Sequence, residues 1–128
     1  MLKRRLALIA GVVLAGSTVV APAAQAGVQA NCATPAYGCL YYDTAFGGEV
    51  IEINGRIADL GRDSNQAESG WNATTSYLVL FDETNLRGVC LSIAPRAAVS
   101  QLPIHFRNKA SSVAFFQVPP AQCLRLGS

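Results

Sequence analysis

Few residues in this chain are equipped for chemistry. It has a single histidine, His105, with no nucleophile near it in sequence. No His-Glu-x-x-His motif is present, and the serines sit in turn-like contexts without a nucleophile-elbow pattern. Carboxylates offer a second route, since a pair can share acid and base roles. The candidates Asp43, Glu49, Asp59 and Glu83 fall on hairpins and turns, where carboxylates are ordinarily solvated. The pattern points away from an enzyme.

Cysteine is the other reactive type. There are four, Cys32, Cys39, Cys90 and Cys123. Zinc fails on spacing, because no Cys-x-x-Cys occurs and His105 stands alone. An even count in a small exported chain reads as two disulfides, and four cysteines allow three connectivities. Position favours Cys32–Cys39, a short clasp across Pro35 and Gly38, with Cys90–Cys123 tying down the C-terminal segment. Closing the second loop is worth ~3.7 kcal/mol in the chain-entropy model.

Export is itself an expectation from the N-terminus. Lys3-Arg4-Arg5 is a basic n-region, Leu6 to Gly16 an apolar h-region, and Ala24-Gln25-Ala26 a small-x-small cleavage site. The apolar run falls short of the ~20 residues that span a bilayer. Arg4-Arg5 invites a twin-arginine reading, which the flanking residues do not support. Residues 1–26 therefore read as a cleaved secretory signal, and 27–128 as one extracellular domain. Of ten basic residues three lie in the signal, leaving seven against eight acidic ones, a net −1. The basic residues are scattered, so neither nucleic acid nor an anionic membrane is an expected partner.

The elements that would position any site come from a repeat. Ser76 to Ile93 reads as strand, polar hairpin and strand. Shifted back by forty positions it meets Tyr41 to Ile53 without a gap: Phe81 falls on Tyr41, Glu83 on Asp43, Thr84 on Thr44, Leu86 on Phe46, Gly88 on Gly48 and Ile93 on Ile53. Cys39 to Tyr42, Glu49 to Ile53, Arg56 to Leu60, Thr74 to Phe81, Ala97 to Leu102 and Ser111 to Val118 complete the strand expectations. Gly61 to Gly70 reads as a solvated, mobile loop, and Trp71 beyond it as a core or edge anchor. Asn72-Ala73-Thr74 fits a glycosylation acceptor, but beside a bacterial-type signal the asparagine reads as structural. No segment has sustained helical periodicity. The class is all-β, two tandem four-strand units at about 39–76 and 77–118.

Each half carries an aromatic, six residues and a glycine, Tyr41 to Gly48 and Phe81 to Gly88, then closes on a hydroxyl pair, Thr75-Ser76 and Ser111-Ser112. This resembles the βγ-crystallin Greek-key motif, in which the glycine lets the hairpin fold over and a late serine packs beneath it. The resemblance covers Cys39 to Phe116 and implies a two-motif β-sandwich. With the signal, the length and the four cysteines, the chain is similar to the Streptomyces metalloproteinase inhibitor family. That likeness implies a secreted, monomeric inhibitor of thermolysin-type metalloproteases that presents a rigid segment to the protease cleft.

The resemblance also implies sites. In the family the reactive bond follows a half-cystine and precedes an aliphatic residue, which Cys90–Leu91 resembles, with Val89 before it; Cys39–Leu40 is the only other match. If that strand is regular, the reactive segment lies in Asp82 to Gly88 or in Gly61 to Gly70. No cofactor is implied beyond weak calcium, because crystallin-type sites use an Asn/Asp, Asn/Asp, x, x, Ser/Thr, Ser signature. The copies read as Trp71 to Ser76 and Arg107 to Ser112, leaving Asn72, Thr75, Asn108 and Ser111 as degenerate ligands. A non-inhibitory crystallin-like module is the rival expectation.

Overall fold

Alternation of side chains decides which face of each strand is buried, and over much of the inner strands both faces are. A computed structural model describes Cys32 and residues 37–127; the expected signal at 1–26 lies outside the described residues. The strands are β1 Gly38–Tyr41, β2 Val50–Ile53, β3 Ser69–Asn72, β4 Tyr77–Glu83, β5 Arg87–Ile93, β6 Ala98–Val99, β7 Ser112–Phe116 and β8 Leu124–Leu126. They form two four-stranded sheets, ordered β2-β1-β3-β6 and β7-β4-β5-β8. Leu40, Ile51 and Ile53 from the first sheet meet Leu78, Leu80, Leu91, Ile93 and Val113 from the second in one core. Each such side chain is worth about 1.5–3 kcal/mol when removed from water.

The alternate positions face outward and are covered too. Cys39, Tyr41, Phe46 and Trp71 cluster with Cys32 outside the first sheet. Val79, Phe81 and Cys90 cluster with Cys123 outside the second. The disulfides Cys32–Cys39 and Cys90–Cys123, with Cα atoms 6.1 and 4.7 Å apart, join terminal segments to these outer faces. Both pairings match the expectation.

The halves exchange segments. β6, from the second half, pairs with β3 of the first, while Ile57 of the first half bridges to Val113 on β7. Beyond Ile57 the expected strand at Arg56 to Leu60 does not continue, although Leu60 N–H donates to the Ser111 carbonyl at 2.9 Å. β8 was not expected. It lies parallel to β5, Leu91 against Leu124, directly after the half-cystine that anchors it.

Two expectations need correction. The hydroxyl beneath the first hairpin belongs to Ser69, not to Thr75-Ser76. Ser69 Oγ donates to the Asp43 carbonyl at 2.6 Å and accepts from Phe46 N–H at 3.0 Å. Ser112 Oγ does the same for Glu83 and Leu86, at 2.6 and 3.0 Å. From Ser69 to Ser112 is forty-three residues, so the second half has three more residues there than the forty-residue register allows. Thr75 is exposed, and Ser76 lends its backbone carbonyl to Asn72.

The segment expected to be solvated, Gly61 to Gly70, is so only at its start. Ala67 is buried, and Ser69–Asn72 form a wholly buried inner strand. Gly70 makes this possible: a Cβ there would lie 3.1 Å from both Ile93 Cδ1 and Leu40 Cδ2, between the two sheets. In urea unfolding, Ser69→Ala should cost about 1–3 kcal/mol, because Phe46 N–H loses its partner. Ser76→Ala should stay within about 0.5 kcal/mol. Equal losses would refute the reassigned register.

Candidate functional site

The β4–β5 hairpin is fixed by its surroundings. Its tip is tied to the other half by Asn85 N–H donating to the Ala58 carbonyl at 2.8 Å. Pairing of β4 with β5 is irregular between Phe81 and Glu83 and resumes at Glu83 opposite Arg87. Across that irregularity Asp82 Oδ1 accepts from Val89 N–H at 2.9 Å. Gly88 beside it has φ +89°, and a Cβ there would overlap the Asp82 carboxylate. The backbone of Arg87-Gly88-Val89 is thus set by Asp82 and Glu83 of β4.

The three expected contact residues separate here. Val89 is 66% exposed, whereas Cys90 and Leu91 are buried. Leu91 registers with Leu80 on β4 and with Leu124 on β8, inside a four-stranded sheet. The Cys90–Leu91 bond is therefore not presented as it stands, because its peptide group lies between two strands and its side chain in the core. Cys39–Leu40 is buried likewise. Of the expected set, only Val89 stands in solvent, with exposed Arg87 and Gly88 before it and Leu124, 54% exposed, on the neighbouring strand.

The carboxylates do structural work. Asp59 accepts from Gly61 N–H at 2.8 Å, and Glu49 pairs with Arg62 at 3.3 Å on the surface. Among the described residues no three of His, Cys, Asp and Glu converge to hold a metal ion. Tyr42 donates to Asp63 Oδ1 at 2.6 Å, and this bond, with desolvation and the nearby carboxylates, pushes its pKa up to about 12. Tyr41 is pushed up to about 12 as well, by burial first and by the charge of Glu52.

The degenerate calcium residues are not brought together as one set. Asn72 is wholly buried: its amide donates to the carbonyls of Ser76, Ile93 and Ala94, and its Oδ1 accepts from Thr74 N–H and Oγ1. Its hydrogen-bonding groups are all engaged in the β3–β4 connection, and Thr75 beside it points to solvent. Asn108 and Ser111 instead meet Glu68, Ser64 and Asn65 of the first half. Sequence reading missed those three. The shared spacing Asn65-x-x-x-Ser69 and Asn108-x-x-x-Ser112 could have found them.

Comparison with known proteins bears on both fold and function. Residues 25–93, more than half of the chain, match the model of peptidase inhibitor family I36. The chain belongs to this family. It is a peptidase inhibitor, and that membership implies a non-enzymatic one. No curated protein sequence matches the inhibitor. Solved structures resemble it at low identity. One, from work on the evolution of the eye lens βγ-crystallin domain fold, has a TM-score of 0.58 at 16% identity, over 65% of this chain and 87% of that one. The N-terminal domain of protein S gives 0.56 at 19%, over 66% and 100%. A βγ-crystallin from Ciona intestinalis gives 0.56 at 20%, over 62% and 99%. The inhibitor has the βγ-crystallin fold.

The raised tyrosines make stability fall at high pH. The folded state keeps phenol protons that the unfolded chain releases from about pH 10. Their contribution is therefore complete below pH 10.0 and is lost as pH rises toward about 12. Urea midpoints followed against pH should drop across that window, and Tyr42→Phe should flatten the drop. An unchanged slope in the variant would show that the Asp63 bond is not its source.

Proposed function

We propose that this inhibitor acts on extracellular metalloproteases of the thermolysin type, by placing the rigid segment Arg87-Gly88-Val89 in the protease cleft. The observation that carries the reading is an exposed aliphatic residue, Val89, on a backbone fixed by the Asp82 carboxylate and by the adjoining half-cystine Cys90. Thermolysin-type enzymes prefer a bulky aliphatic residue just after the scissile bond. Val89 offers that side chain in solvent, and Cys90 and Leu91 hold it from behind. A segment already in its bound shape loses little conformational freedom on docking, which favours affinity. The same rigidity disfavours the distortion that cleavage requires.

The cellular setting belongs to the same proposal. Two disulfides suit an oxidising compartment, consistent with residues 1–26 as a secretory signal and 27–128 as the mature domain.

Residual thermolysin activity during titration with the mature protein tests this, followed by mass analysis of the mixture. Stoichiometric loss of activity, with slow cleavage at Gly88–Val89, is the expected result. Val89→Asp should raise Ki by about tenfold or more, since it puts a charge in an apolar subsite. Full protease activity with intact protein would overturn the reading. A clip at Cys90–Leu91 instead would mean that β5 opens on binding.

A further inference from the structure

The βγ-crystallin fold implies calcium, through the paired signature that each repeat carries. In the register set by Ser69 and Ser112, the copies here are Ser64-Asn65-Gln66-Ala67-Glu68-Ser69 and Arg107-Asn108-Lys109-Ala110-Ser111-Ser112. The backbone of the two cradles is retained. Asn65 and Asn108 both adopt the left-handed conformation, φ 64° and 62°. Their amides cross over, Asn65 N–H to the Ala110 carbonyl at 2.8 Å and Asn108 N–H to the Ala67 carbonyl at 2.9 Å. Glu68 N–H and Ser111 N–H donate to the equivalent carbonyls of Tyr41 and Phe81.

The side chains do not fit a cation. At the first cradle Ser64 Oγ donates to Ser111 Oγ at 2.8 Å, and Ser111 Oγ reaches Asn65 Oδ1 at 3.5 Å. These are neutral oxygens, already engaged with one another. At the second, Asn108 Nδ2 donates to Glu68 Oε2 at 3.2 Å. A carboxylate can be met only by the NH₂ end of an amide, so Asn108 presents a donor there. Arg107 and Lys109 flank it with two positive charges. Calcium takes six to eight oxygen ligands and gains affinity with their negative charge. One carboxylate, itself hydrogen-bonded and beside two cations, does not supply that.

We propose that direct hydrogen bonds between the two halves stand where the fold elsewhere places calcium, so that this domain is joined without a cation. Each contact takes one residue from each half: Ser64 and Asn65 with Ser111, and Glu68 with Asn108. The proposal is independent of the inhibitor reading.

Thermal melts of the disulfide-bonded protein, in excess calcium chloride and in chelator, test it without any variant. The midpoint should be the same in both. A calcium site a hundredfold above its Kd would raise Tm by about 10 °C or more, and such a rise would overturn the proposal. Ser64→Ala and Ser111→Ala should each lower Tm by about 4–8 °C in either buffer. The double variant should lose clearly less than the sum, because the two hydroxyls lose one shared bond. Strictly additive losses would mean that no such bond joins the halves.

Discussion

Two hydroxyl groups hold the molecule's topology in place. Ser69 and Ser112 each bond the two ends of a folded hairpin, and each belongs to the strand that passes beneath it. They help to offset the unfavourable backbone at Ala45-Phe46 and Asn85-Leu86, all at positive φ. With the hairpins folded over, their tips reach across to the other half, Ala45 N–H to the Ser100 carbonyl and Asn85 N–H to that of Ala58. Those contacts place the segments that the two halves exchange. The near two-fold relation of the halves is thus a set of reciprocal hydrogen bonds, each with its counterpart.

A small β-sandwich usually leaves one face of each sheet to solvent, and this one covers part of both outer faces. Tyr41 stacks edge-on against Phe46 outside the first sheet, and Phe81 lies tilted against Phe116 outside the second. Each outer cluster includes a half-cystine of the terminal segment that its disulfide pins there. The crosslinks therefore do more than restrict the unfolded chain, for they hold apolar cover on faces that would otherwise be wet. β8 is a product of the same constraint, since Cys123 delivers Leu124 to the edge of β5.

The proposed contact surface depends on this frame. Val89 is exposed one residue before a half-cystine and two before the fully buried Leu91. A rigid sheet thus begins immediately behind this exposed side chain. The polar contacts between the halves serve stiffness in another way, joining the two hairpin systems through Ser64, Glu68, Asn108 and Ser111.

The repeat from Tyr41 to Ile53 and Phe81 to Ile93, the all-β class and the count of two disulfides were legible in the residues, because period-two alternation, turn glycines and an even number of cysteines can be read along the chain. Tertiary structure alone decided the rest. Ser69-Gly70-Trp71-Asn72 has little intrinsic strand preference, yet it is an inner strand, because β1 on one side and β6 of the other half on the other supply its hydrogen bonds, and a Cβ at Gly70 would crowd Leu40 and Ile93. The forty-residue register alone did not lead to Ser69 as the residue that closes the first hairpin, since three residues had entered the second half. The family likeness pointed to Cys90–Leu91, but burial is a property of the sheet: β4 and β8 enclose that bond and leave Val89 in solvent.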